Sequence, residues 1–271
     1  MRLPAFSRLS ISVLALLHCS TAQADEGLRD FCADRPGLGT PTCIVDRGHV
    51  VVEAGFADWT HVREGSGRSD SVVVGNALIR YGLTDTMEVH IGWDGYGFAR
   101  ARDRAAGMSE RFEGGGDMTF AFRQSLRNPD GSGFSVAVMP YATAPTGSDA
   151  FSAGDWGAGL IVPVSLELTD GLSLGLTPQV DAAVDGDGDG RHLAYGTVVG
   201  LGVGLTDDLS MSLEVSFSRD EDPDGHSTEA LAGLAFAWMA DDNLQLDAGV
   251  VAGLNSDSPD AEVYAGIARR F

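Results

Sequence analysis

The sequence predicts an all-β chain, a transmembrane antiparallel up-and-down β-barrel of about twelve strands. Three observations predict it. Segments of about 10–15 residues alternate in polarity with period two from residue 49 onward. The connections between them alternate between tight turns and longer, acidic stretches. The last segment, Val263-Tyr264-Ala265-Gly266-Ile267-Ala268-Arg269-Arg270-Phe271, is an amphipathic strand that ends on an aromatic residue.

The chain has 271 residues. Residues 1–24 carry Arg2 and Arg8, then a mostly apolar run from Leu9 to Leu17, then Ala22-Gln23-Ala24. This is the layout of a cleaved secretory leader, whose apolar run is shorter than the roughly 20 residues of a membrane helix. Cys19 follows His18, where a lipoprotein signal would place a small residue, so a lipid anchor is not expected. The formal charge of −21 becomes −23 when the two leader arginines leave. All basic residues are Arg. Nucleic acid is excluded as a partner, because phosphate binding rests on clustered positive charge.

Residues 25–48 are expected to form a periplasmic amino-terminal segment. An exported chain with two nearby cysteines usually pairs them, so Cys32 and Cys43 are expected to form a disulfide around Ala33 to Thr42. Two free thiols, or a metal pair lacking its other ligands, are the alternatives. The same segment, stiffened by that bridge, is a candidate plug for the barrel.

The barrel is expected over 49–271, with strands near 49–61, 70–83, 87–98, 114–126, 133–145, 153–168, 171–184, 191–205, 208–219, 227–239, 243–254 and 260–271. In Met211-Ser212-Leu213-Glu214-Val215-Ser216-Phe217-Ser218, for example, Met, Leu, Val and Phe share one face and Ser, Glu, Ser and Ser the other. Tight connections fall at Thr84-Asp85-Thr86, Asn128-Pro129-Asp130-Gly131, Thr169-Asp170-Gly171, Thr206-Asp207-Asp208 and Asp241-Asp242-Asn243, all good turn chemistry. The stretches 99–113, 146–152, 185–190, 220–226 and 255–259 read as extracellular loops. Both chain ends then lie in the periplasm, and Phe271 is the expected signal to the barrel-insertion machinery. A soluble sandwich also alternates, and is the competing fold.

With the polar faces inward, the lumen would receive Glu53, Arg80, Glu88, His90, Asp94, Asp117, Arg123, Glu167, Asp181, Glu214, Asp247, Glu262 and Arg270. Such a set either lines a hydrophilic path whose charges select solutes or fills the interior with ion pairs. Asp185-Gly186-Asp187-Gly188-Asp189-Gly190 resembles the start of a calcium loop, but Gly196 stands where its twelfth-position carboxylate is needed. A solvated acidic loop is the expectation, with weak binding of divalent cations beside lipopolysaccharide phosphates the alternative, and no metal or cofactor is predicted. Arg100-Ala101-Arg102-Asp103-Arg104, with Arg111, reads as a basic loop able to meet lipopolysaccharide phosphates or to remain unliganded. The histidines, among them His49, His61, His192 and His226, sit in no nucleophile motif, and Gly-x-Ser-x-Gly is absent. Enzyme chemistry is not expected.

Asp34-Arg35-Pro36-Gly37-Leu38-Gly39-Thr40-Pro41 resembles the amino-terminal segment of a family of proteobacterial proteins called “putative meta-pathway of phenol degradation” proteins. Val52-Glu53-Ala54-Gly55-Phe56 and Arg80-Tyr81-Gly82-Leu83-Thr84-Asp85-Thr86-Met87-Glu88-Val89 resemble it too. The resemblance extends over nearly the whole chain after the leader. It implies an outer-membrane barrel that passes small solutes, aromatic or hydrophobic ones among them, and it implies no catalytic residues. A structural or adhesive barrel with a closed lumen is the alternative, and a lipid-modifying barrel enzyme the third.

Overall fold

A computed structural model describes residues 27–271, so the expected leader over 1–24 lies outside the described residues. The described residues form strands and connections without a helix. Twelve strands follow one another round a wall: β1 Val50–Glu64, β2 Gly67–Val74 continued as Ala77–Thr84, β3 Met87–Trp93 continued as Tyr96–Asp103, and β4 Met108–Gly115 continued as Met118–Arg127. Then come β5 Phe134–Ala144, β6 Gly157–Ile161 continued as Val164–Thr169, β7 Leu172–Val184, β8 Arg191–Gly204, β9 Leu209–Asp220, β10 Ser227–Asp241, β11 Leu244–Gly253 and β12 Ala261–Arg270.

Every neighbouring pair is antiparallel, and β12 pairs with β1 from Ala261↔His61 to Arg270↔Val51. The sheet is therefore a closed barrel, which leaves no open edge, the condition for strands to cross lipid. The soluble sandwich is overturned by that closure.

Period-two alternation has placed one face of each strand outward. Cross-strand partners share a face, and one outward row reads Leu174, Leu201, Leu213, Leu234, Val250, Val263, Trp59, Val72 and Phe98 from β7 round to β3. Leu213, Val250 and Phe98 are 45%, 48% and 47% exposed. In a water-soluble protein this would be an exposed apolar patch of impossible size. On a membrane barrel it is the lipid face. The inward positions carry the polar residues, and the core is among them rather than between two sheets.

The structure departs from the sequence reading at one end. Residues 62–69 and 99–113 were expected as loops, yet strand pairing continues through Glu64↔Gly67 and Asp103↔Met108. Charge alone suggested loops there. The period-two pattern persists through Arg100 and Arg102, and backbone pairing tolerates charged side chains once a strand leaves the lipid. The wall of β1–β4 therefore rises well above the rest. Its strands are interrupted side by side at 75–76, 94–95 and 116–117. Gly75 and Gly95 there adopt φ of +67° and +85°, which glycine reaches without a Cβ penalty. The ladder resumes through displaced bonds such as Gly75 N–H to Gly55 O (3.0 Å) and Gly116 N–H to Gly95 O (2.8 Å).

Outward and inward positions one residue apart are expected to respond differently to charge. Val215→Arg, on the lipid face of β9, should cost about 2–4 kcal/mol in a urea titration of the protein folded in lipid vesicles, whereas Ser216→Arg, facing the lumen, should cost far less.

Candidate functional site

The interior is built around the amino-terminal segment. Expected in the periplasm, it runs instead into the barrel, with its plug alternative describing the geometry. Arg29 and Asp46 stay at the end of the tight turns, where Arg29 Nη2 donates to Asp85 O and Arg270 Nη1 donates to Arg29 O. Between them the chain crosses the lumen as a loop. The expected disulfide between Cys32 and Cys43 closes that loop.

The loop is held by its own backbone. Asp34 and Arg35 N–H donate to the two carboxylate oxygens of Glu53 on β1, each at 2.9 Å. Leu38 and Gly39 N–H donate to Glu214 on β9 at 2.7 and 3.0 Å. Thr40 N–H donates to Thr177 on β7, and Val45 N–H to Glu88 on β3 at 2.6 Å. Thr42 and Ser135 share a hydroxyl contact on β5. A segment without secondary structure has unpaired amides that must find acceptors once buried. The lumen carboxylates are those acceptors, which accounts for much of the acidic excess of the inner wall. Close approach requires glycine. A Cβ on Gly37, whose φ is +117°, would lie 2.6 Å from Glu214 Oε2. One on Gly82 would collide with the carbonyls of Val45 and Asp46.

At the base of the loop lies a charge cluster. Arg80 on β2 and Arg123 on β4 are both fully buried. Arg80 reaches Asp34 (2.9 Å), Glu53 (3.2 Å) and Glu88 (3.0 Å). Arg123 reaches Asp34 (2.6 Å) and Glu88 (3.2 Å). Arg80 also donates to Cys32 O and Arg123 to Cys43 O, so each guanidinium holds the backbone beside one half of the disulfide. His90 Nε2 pairs with Glu88 at 2.7 Å. Further round, Arg35 donates to both oxygens of Asp247 on β11, and Gln245 donates to Arg35 O.

The remaining sequence candidates are dispersed. Asp117 is buried and accepts from Gly147 and Ala153 N–H, holding the connection between β5 and β6. Asp181 pairs with Tyr141 and Gln179. Glu167 is exposed at the turn end and accepts from Gly133 N–H, and Arg270 donates to Asn243. Asp94 and Glu262 face a cavity on the loop side of the plug. The acidic loop 185–190 folds onto the next one: Gly186 N–H donates to Asp222, and His192 sits 2.9 Å from both Asp185 and Asp220. Sequence reasoning assigned no lumen role to Asp34, Arg35, Asp58, Tyr141 or Tyr264. Asp34 and Arg35 could have been suspected, being charges inside a disulfide loop considered as a plug.

The plug divides the lumen. On the loop side a cavity of about 380 Å³ is bounded by Asp58, Asp94, Glu262 and Tyr264 against Arg35 and Gly37. On the turn side lie cavities of about 410 and 730 Å³. The arrangement offers polar space on both sides and a constriction between.

A family model described as “Putative MetA-pathway of phenol degradation” matches residues 33–271. No curated protein sequence matches the chain. Among solved structures, the COG4313 outer membrane channel from Pseudomonas putida F1 is 17% identical, with a TM-score of 0.69 over 88% of this chain and 100% of that one. The KdgM porin in complex with disordered oligogalacturonate is 11% identical, with a TM-score of 0.51 over 82% of this chain and 99% of that one. The transport unit of the autotransporter AIDA-I from Escherichia coli is 7% identical, with a TM-score of 0.53 over 83% of this chain and 90% of that one. At these identities the likeness is one of fold, that of outer-membrane barrels.

Removing one partner of a buried ion cluster strands the others. Arg80→Met should destabilise the folded protein by about 3–5 kcal/mol, and adding Glu53→Gln should recover part of that loss in the same urea titration.

Proposed function

Because the chain belongs to the family described as “Putative MetA-pathway of phenol degradation”, we propose that it forms a passive outer-membrane channel for small solutes. The observation that carries this reading is a polar lumen, open in cavities on both sides of the amino-terminal loop. The export leader at 1–24 takes the chain across the inner membrane, and the β12 strand ending in Phe271 engages the insertion machinery. The turn end faces the periplasm and the loop end the exterior, so solute meets the carboxylates of Asp58, Asp94 and Glu262 before it meets the plug. That entrance disfavours anions and leaves neutral aromatic or hydrophobic solutes and small cations as the substrate class. No covalent step is involved.

The plug governs passage. Its loop is fixed by backbone bonds to Glu53, Glu88 and Glu214 and cross-tied by Cys32–Cys43, so it leaves the path only when those acceptors are given up. A closed structural barrel is the second reading, and the density of these same bonds favours it.

Planar-bilayer conductance separates the two. The protein lacking residues 25–48, once shown to be folded by a heat-modifiable gel shift, should conduct severalfold more than the intact chain. Unchanged conductance would remove the plug from the account. Reversal potentials in a salt gradient should show cation preference, weakened by Asp58→Asn with Glu262→Gln; anion preference would overturn the proposed entrance.

A further inference from the structure

The outer surface of the raised wall carries a feature that channel activity does not use. Opposite one another across β1, β2 and β3 stand Arg63, Arg68 and Arg102; one step nearer the membrane, β2, β3 and β4 place Asp70, Arg100 and Arg111 side by side. Both rows point outward, because they continue by twos from Trp59, Val72 and Phe98, which belong to the lipid-facing row.

Their height follows from strand geometry. On β2 the outward apolar positions run from Leu83 to Val72. Eleven residues at about 3.3 Å, tilted by about 40°, rise about 28 Å, close to the height of a barrel's apolar band of about 25 Å. Arg68, Arg100 and Arg102 therefore begin where the hydrocarbon ends, directly above Trp59 and Phe98.

The arginines are poorly compensated. Like charges directly opposite across strands destabilise a sheet, yet Arg63 faces Arg68, Arg68 faces Arg102, and Arg100 faces Arg111. Of these five, only Arg68 has an ion pair among the described residues, with Asp70 at 2.8 Å. Arg102 Nε is buried without a hydrogen-bond partner there. On the far wall, by contrast, Arg191 pairs with Asp155 and Arg219 with Glu221. The chain has 39 acidic residues to draw on and a net charge of −21. Four guanidiniums without an ion pair among the described residues of so acidic a chain can take an anion from outside.

We propose that the outward faces of β1–β4 bind the phosphates of lipid A, seating one lipopolysaccharide molecule against this wall. The patch is about 14 Å wide, three interstrand spacings of about 4.8 Å, wide enough for a disaccharide with a phosphate at each end. Acyl chains then lie on Trp59, Val72 and Phe98, and the guanidiniums give bidentate, charge-assisted bonds to phosphate. The remaining loops, rich in Asp, repel the same headgroup, so the contact is confined to one side of the barrel.

The test uses the full chain in detergent, with purified lipopolysaccharide and phosphatidylglycerol vesicles as probes at matched phosphate, and a chelator present to remove bridging cations. Wild type should bind lipopolysaccharide in preference to phosphatidylglycerol. Replacing Arg63, Arg68, Arg100 and Arg102 with Gln should weaken that binding by about tenfold or more, since each charge-assisted bond lost is worth on the order of that factor. Arg191→Gln with Arg219→Gln should leave it within about twofold. A heat-modifiable gel shift checks folding; if the fourfold variant fails it, Arg100→Gln with Arg102→Gln is measured instead and should show a smaller loss of the same sign. Unchanged affinity in the arginine variants, equal binding to phosphatidylglycerol, or loss of wild-type binding in chelator would each overturn the proposal. None of these readings depends on solute passage.

Discussion

Two buried guanidiniums organise the molecule. A charge taken out of water costs several kcal/mol unless opposite charges and hydrogen bonds replace the solvent. Arg80 and Arg123 have no solvent. Three carboxylates serve them, and one, Asp34, comes from the plug rather than the wall. Without the plug, Glu53 and Glu88 would remain, but the carbonyls of Cys32 and Cys43 and the Asp34 carboxylate would be gone from both arginines. Wall and plug are thus each other's counter-charge. The plug's position depends on the barrel, and the barrel's inner charge balance depends on the plug.

This mutual dependence explains why the wall was easier to read than the site. Alternation such as Met211 to Ser218 reports which side of a strand meets lipid, and lipid is a uniform partner, so local pattern suffices. Twelve strands and their tight turns were legible for that reason. The same pattern places Glu53, Glu214 and Asp247 on the inner face, but does not say what they meet there. Their partners are the amides of Asp34, Arg35, Leu38 and Gly39 and the guanidinium of Arg35, up to 212 positions away in the chain, and no periodicity encodes a contact of that kind. The long hairpin at Arg100 failed for the opposite reason. Charged residues resemble loops when hydropathy is the guide, although their spacing remained that of a strand.

The choice of carboxylates as acceptors has a further consequence. A carboxylate offers about four lone-pair sites and accepts only, so one Glu can hold two successive amides, as Glu53 and Glu214 both do. Nothing in that bond reads a side chain. What it demands is room, supplied on the loop by Gly37, where a Cβ would strike Glu214, while Gly82 and Gly266 on the wall give room to the carbonyls of Val45 and Asp46 and to the Arg35 side chain. The plug segment is therefore constrained in backbone shape more than in side-chain identity, except at Asp34, Arg35 and the two cysteines.

The strand interruptions at 75–76, 94–95 and 116–117 connect the inner and outer features of β1–β4. Toward the turns from that line, these strands carry the ion cluster on their inner face. Beyond it, β1 stays paired with β12 as far as His61, and the four strands carry the arginine rows on their outer face. A continuous regular ladder would impose one twist on both parts. Glycines at positive φ and displaced ladder bonds let the lower half curve round the plug while the upper half follows its own course. The same four strands can then hold positive charge inward against buried carboxylates at one level and outward at the membrane surface at another. These are opposite demands on a period-two pattern, and they are compatible because the pattern is reset between them.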